Sequence, residues 1–170
     1  MKIPKAVLVL ACALALPAAA ARAEDTPPVV PLDACLEGGG FDAQAAQTFG
    51  ADGNGMKRYV VALLKRGPNR PIEPVRAREL QAAHMKNIRR MAEEGKLVLA
   101  GPFLEDGDLR GIYVFNVATL AEAKALTETD PAVKAGSLVM ELKEWYGSAA
   151  LLAVPAIHKR LSPPPAEPAR

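Results

Sequence analysis

Cysteine, histidine and aromatic side chains are all scarce in this sequence, which has two cysteines, two histidines and an aromatic share of 5%. Cys12 lies within the first 23 residues, so Cys35 is the single thiol downstream and an internal disulfide is excluded there. His84, His158 and one cysteine, far apart in sequence, give no metal-ligand spacing, so no metal is expected. A surplus of either charge is also missing. With 21 basic and 19 acidic residues, and Lys2, Lys5 and Arg22 in the first 23, the remainder carries one net negative charge, which suggests neither nucleic acid nor an anionic membrane as partner. After residue 23 no apolar run reaches the roughly 20 residues needed to cross a bilayer. Ser148 has no Gly-x-Ser-x-Gly context, and the glycines at 38–40 neither follow a strand nor carry a P-loop lysine, so a serine nucleophile, a nucleotide and other cofactors are not expected.

What is present begins with an address. Lys2 and Lys5 start the chain, an apolar run covers Ala6 to Leu16, and Ala21-Arg22-Ala23 is a small-x-small cleavage site. Residues 1–23 therefore read as a secretory signal peptide, and the expected location is periplasmic or secreted. An acylated Cys12 is the weaker alternative, because Leu10 is bulky two positions before it and the apolar run continues past it. Residues 24–55, rich in Pro, Gly and Ala, read as a flexible linker with a turn or two of helix from Asp42 to Phe49. Cys35, within it, reads as a free thiol rather than a nucleophile, with an interchain disulfide as a further option.

Order is expected from Met56. Lys57–Leu64 has the β-branched and aromatic content of a strand and is apolar on both faces. After three prolines, a helix from Pro74 to about Glu94 sets Leu80, His84, Ile88 and Met91 on one stripe, and Gly95 ends it. Leu97–Leu104 and Arg110–Val117 read as strands joined by a tight Asp106-Gly107 turn. Thr119 and Glu122 form a capping box opening a helix to about Glu128, and Leu138–Trp145 is the last strand. The order β-α-β-β-α-β predicts an α+β, ferredoxin-like fold with a four-stranded antiparallel sheet and both helices on one face. Because the strands are apolar on both sides, the helix-free face should also be buried, by a second copy in a homodimer or by the chain's own tail, Gly147–Leu161. The terminal PPPAEPAR should be disordered.

HMKNIRRMAEEGKLVLAGPF (His84–Phe103), followed after the hairpin by LAEAKALTETDPAV (Leu120–Val133), resembles the YCII-related (YciI-like) family. The matching features are a helix histidine, His84; a glycine eleven positions later, Gly95; Ala100 to Pro102 closing the second strand; and Asp130 with Pro131 after the second helix. The resemblance covers about residues 56–146, with residues 147–170 as an extension. It implies the dimeric α/β-barrel kind of ferredoxin-like fold and a His84–Asp130 pair in a small pocket. It also implies chemistry like that of a relative that dehydrochlorinates a chlorinated aromatic, or of dimeric barrels that isomerise lactones or oxygenate without cofactors. The secretory signal departs from the usual cytoplasmic members, which puts an intracellular catabolic substrate in doubt.

Histidine is the one side chain that titrates near neutrality without tuning, so His84 beside a carboxylate can take and return a proton. His84 would then be general base or acid and Asp130 its orienting partner, in a cofactor-independent isomerase or lyase acting on a small organic molecule, aromatic or carboxylated. The bland alternatives are a core histidine bonded to a backbone carbonyl and, for Asp130, a helix N-cap ahead of Pro131 with Gly136 as the stop. Those would make the protein a non-catalytic binding or assembly module. Ser148 and His158 read as tail contacts, and Trp145 and Tyr146 as core or interface.

Overall fold

The structure is a computed structural model that describes residues 40–70 and 73–163. The segment read as a signal peptide, with Cys12, and Cys35, residues 24–39 and the Pro-rich end from 164 lie outside the described residues. The elements are α1 (Ala43–Phe49), β1 (Met56–Arg66), α2 (Pro74–Glu93), β2 (Leu97–Pro102), β3 (Leu109–Phe115), α3 (Leu120–Thr127), α4 (Pro131–Lys134), β4 (Leu138–Ser148), a 3-10 helix (Ala149–Ala153) and α5 (Val154–Leu161). The strands form one antiparallel sheet in the order β2-β3-β1-β4, the ferredoxin-like arrangement that the element order predicts.

Alternation along β1 divides the protein into two apolar layers. Val60, Ala62 and Leu64 point to the helix side, where Met91 and Ile88 of α2 and Ala123 and Leu126 of α3 pack on them with Leu97, Tyr113 and Phe115. Tyr59 and Val61 point the other way and join Val98 and Val114. A bulge between Leu97 and Leu99 inserts Val98, which lets Val98 and Leu99 both serve this second layer. Leu151 and Leu152 of the 3-10 helix cover it, and the Tyr59 hydroxyl donates to the Ser148 carbonyl at 3.0 Å. Of the two covers weighed for the helix-free face, the tail occupies this part of it.

The turn or two of helix read from Asp42 to Phe49 is present as α1, and from Asp42 onward the chain is docked rather than a flexible linker. Asp42 caps α1 by accepting from the Gln44 and Ala45 amides, Gly50 closes it at φ 63°, and Phe49 is buried against Ala149 and Ala153. The Ala-rich composition that suggested a linker instead lets α1 approach the equally small-residued 3-10 helix closely.

The Asp106-Gly107 turn is also not the tight hairpin expected. Gly107 is not among the described glycines with positive φ, and the strands are joined by residues 103–108. Asp106 is occupied otherwise, receiving Arg66 at 2.8 Å and Arg110 at 2.9 Å. Other punctuation is as read: Gly95 at φ 66°, the Thr119–Glu122 capping box, and Asp130 with Pro131 opening α4.

Beyond β1 the chain is pinned to the turn before β4. Gly67 donates to the Ser137 carbonyl at 2.9 Å and Asn69 to the Gly136 carbonyl at 3.0 Å. A Cβ on Gly67 would lie 2.2 Å from the Gly136 oxygen, so only glycine permits this approach. The contact fixes where Asn69 and Arg70 leave the sheet.

Candidate functional site

His84 sits at mid-α2 because Leu80, His84, Ile88 and Met91 follow the helical repeat toward the sheet. Asp130 arrives from the other side, at the turn where Asp-Pro ends α3's excursion and starts α4. The fold brings the two together: His84 Nδ1 lies 2.8 Å from Asp130 Oδ2 and 3.0 Å from Oδ1. Asp130 has no exposed surface, and its Oδ1 also accepts from the Ala132 amide at 2.9 Å. Ring orientation and helix capping therefore share one carboxylate.

The carboxylate oxygens can only accept, so Nδ1 carries the hydrogen of this bond and a neutral ring keeps its lone pair on Nε2. At Nε2 stands the hydroxyl of Tyr113, 3.3 Å away and able to donate to it. The two rings are nearly parallel, with centroids 6.3 Å apart. Tyr113 is 2% exposed, and burial, followed by the negative charge of Asp130, pushes its phenol well above its ordinary pKa. The result is a buried Tyr113–His84–Asp130 chain in which the phenol is a proton donor and the imidazole can accept.

His84 and Tyr113 line a cavity of about 510 Å³ between α2 and the far ends of β1, β2 and β3. Its walls are aliphatic, with Leu64, Leu80, Ile88, Pro102 and Leu138, and its other polar lining groups include Gln81, Ser137, Arg70 and Arg110. That size and mixture suit one small molecule held by apolar walls and oriented by a few polar groups.

A second set of bonds supports the pair without touching the cavity. Asn87, one turn along α2 from His84, accepts through Oδ1 from Arg90 at 2.9 Å and from the Thr129 hydroxyl at 3.1 Å. Arg90 also donates to Thr129 at 2.9 Å and is tethered by Glu94. The residue preceding Asp130 is thereby bound to the helix that carries His84.

The remaining candidates lie elsewhere. Ser148 caps the 3-10 helix and His158 is exposed beside Ser162. Trp145 is 43% exposed, its ring tilted against Tyr59 and passing over Gly147, while the Tyr146 hydroxyl donates to Asp52. Among the described residues no group of three or more His, Cys, Asp and Glu side chains could hold a metal, and no helix is long and apolar enough to cross a membrane.

Sequence reasoning missed Tyr113, Asn87, Arg70 and Arg110. For Tyr113 a signal existed: it shares the helix-side face with Phe115, yet it alone on that strand face carries a hydroxyl needing a partner. Asn87 was a polar residue three positions after His84 and four before Met91, on the buried stripe.

Comparison with known proteins gives likenesses of three kinds. Residues 59–146 match the YCII-related domain. A stretch of 64 residues is 34% identical to the uncharacterized protein YjpA of Bacillus subtilis (strain 168), covering 38% of this chain and 73% of that protein. Among solved structures, 5-chloro-2-hydroxyhydroquinone dehydrochlorinase (TftG) from Burkholderia phenoliruptrix AC1100, in complex with 2,5-dihydroxybenzoquinone, is similar at 24% identity. That match covers 50% of this chain and 92% of the other, with a TM-score of 0.38.

Proposed function

The chain belongs to the YCII-related family, and from that premise we propose that it binds a small, partly apolar molecule in the His84 cavity and moves a proton on it. The observation that carries the proposal is the 2.8 Å contact from Nδ1 to a wholly buried carboxylate, with Nε2 left to a cavity-lining phenol. His84 and Asp130 are the proposed catalytic residues.

In the resting site Tyr113 donates to Nε2 through a long bond that a substrate can displace. A substrate whose C–H or O–H takes that place gives its proton to Nε2, and the electron pair of the broken bond stays on the substrate. Asp130 stabilises the imidazolium through Nδ1–H. If the imidazolium returns the proton to another atom, the outcome is isomerisation. If the electron pair expels a leaving group such as chloride, the outcome is elimination, and the proton passes to solvent. Both need only groups that the chain supplies. Dehydrochlorination, which the family resemblance implies, is one instance of the second.

The experiment is a screen of chlorinated hydroquinones and small lactones, following chloride release and solvent-deuterium incorporation with the native protein and His84→Asn. Turnover that His84→Asn abolishes at unchanged thermal midpoint supports the proposal. A substitution that lowers the midpoint and destabilises by roughly 1–3 kcal/mol, the cost of a disrupted buried polar group, with no turnover of any compound by the native protein, favours a binding module. The Asp130 cap bond to Ala132 is the observation on that second side. Export through the signal peptide would place either activity outside the cytoplasm.

A further inference from the structure

The charged lining of the cavity is of one sign. No aspartate or glutamate lines it, whereas Arg70 and Arg110 both do, and Asp130 is hidden behind the His84 ring. Arg110 spends Nη1 on Asp106 at 2.9 Å and on the Gly107 carbonyl at 3.2 Å. The same Asp106 oxygen takes Arg66 at 2.8 Å, so one carboxylate oxygen is shared by two guanidinium groups. Arg70 is exposed and has no hydrogen bond or ion pair to any described residue. Its placement is nonetheless built, because the Gly67 and Asn69 backbone bonds to the turn before β4 hold the chain at the rim just before it.

The cavity lining thus joins an exposed guanidinium to a nearly closed-off acid–base pair. Arg70 is exposed, Leu64, Ile88 and Leu138 supply apolar wall, and His84 and Tyr113 are nearly closed off from solvent. A neutral apolar molecule would leave the guanidinium groups unused. A cation would meet two like charges. An anion with its charge at one end and an acidic hydrogen at the other would engage both the guanidinium groups and His84, and arginine binds a planar carboxylate or phenolate through charge-assisted, forked hydrogen bonds.

We propose that the ligand of this cavity is a single-ring organic anion whose carboxylate or phenolate is held at the rim by Arg70, with Arg110 beside it, while its reacting hydrogen reaches His84 Nε2. This deepens the acid–base reading of the same cavity and supplies its substrate class. Arg70 is the specificity-determining residue, since it is the rim guanidinium without a protein partner among the described residues.

The test uses matched probes in the purified protein: 2,5-dihydroxybenzoate against 2,5-dihydroxybenzamide, and 4-hydroxybenzoate against 4-hydroxybenzamide, with affinities from calorimetry and location from NMR shifts of cavity residues. The carboxylates should bind at least about ten-fold tighter than the amides, as one charge-assisted hydrogen bond supplies. Arg70→Gln should erase most of that preference while leaving amide binding unchanged, and Arg70→Lys should retain part of it. Added salt should weaken the carboxylates alone. Equal affinities within both pairs, a preference that survives Arg70→Gln, or no shift at the cavity by any probe at millimolar concentration would overturn the inference. Charge-blind binding with His84-dependent turnover intact removes this inference alone. Charge-selective binding without any His84-dependent turnover removes the acid–base reading and leaves this one standing.

Discussion

Asp130 faces His84 with both carboxylate oxygens, Oδ2 at 2.8 Å and Oδ1 at 3.0 Å, while Oδ1 also caps α4 through the Ala132 amide. The two roles can be separated by substitution. Asp130→Ala loses the cap and strands the His84 Nδ1–H, and should cost about 2–4 kcal/mol. Asp130→Asn keeps an oxygen able to serve either group and should recover more than half of that, measured by urea midpoint. Equal losses in the two variants would mean that the charge itself, not the hydrogen bonds, holds the turn.

Asn87 should act at a distance. Its Oδ1 gathers Arg90 and Thr129 next to Asp130. Asn87→Ala is expected to cost about 1–3 kcal/mol. It should also broaden the His84 Nδ1–H proton resonance, by loosening the turn that carries the acceptor. A sharp, unshifted resonance in a destabilised variant would confine Asn87 to packing.

Two buried tyrosines give the fold an alkaline limit. Burial raises Tyr59 to about 12, and burial with the charge of Asp130 raises Tyr113 well above its ordinary value. Below pH 10 both are protonated whether the chain is folded or not, so their contribution is fully present. Above pH 10 the unfolded chain releases protons that the native state retains, and stability falls as the pH rises through about 12. The slope between these values should approach about 2.7 kcal/mol per pH unit from two groups, and about half of that in Tyr113→Phe. Stability measurements across this range, with tyrosinate absorbance as the probe, decide it. A slope unchanged by Tyr113→Phe would contradict the burial argument.

The tail should govern self-association. Removing residues 149–170 uncovers Tyr59, Val98 and Val114, beside an already exposed Val139 and Trp145. The truncated protein is expected to dimerise or aggregate at micromolar concentration through this face, and Leu152→Asp should do the same in part. Sedimentation equilibrium reads the result. The same stoichiometry for full-length and truncated chains would show that the tail does not control that surface.

The sheet and its flanking helices were legible because their signals are local: two-residue alternation in β1, the four-four-three spacing of Leu80, His84, Ile88 and Met91, and the caps at Thr119 and Asp130. His84 and Asp130 could be nominated from their residue types and the family resemblance. That they meet depends on α2 and the α3–α4 turn docking together, a contact 46 residues apart in sequence. Tyr113 and the arginines escaped for a related reason. A phenol among aliphatic strand residues reads as packing until its register opposite Ala62 turns it toward the helix side, where His84 lies. The short helix read at Asp42–Phe49 is present as α1, but its docking was not legible, since Phe49 packs on Ala149 and Ala153 of the tail, which no short window of sequence contains.

The clasp of Phe49 with Ala149 and Ala153 brings together segments about a hundred residues apart and sets them at the Met56 and Ser148 end of the sheet. The cavity opens near Leu64 and Leu138, at the other end of the same two strands. Eight residues of β1 separate Met56 from Leu64, roughly 25 Å of extended chain. A surface, a fusion partner or an immobilising bead joined just before α1 would therefore hold the molecule by one pole and leave the opposite pole, with the cavity, presented outward.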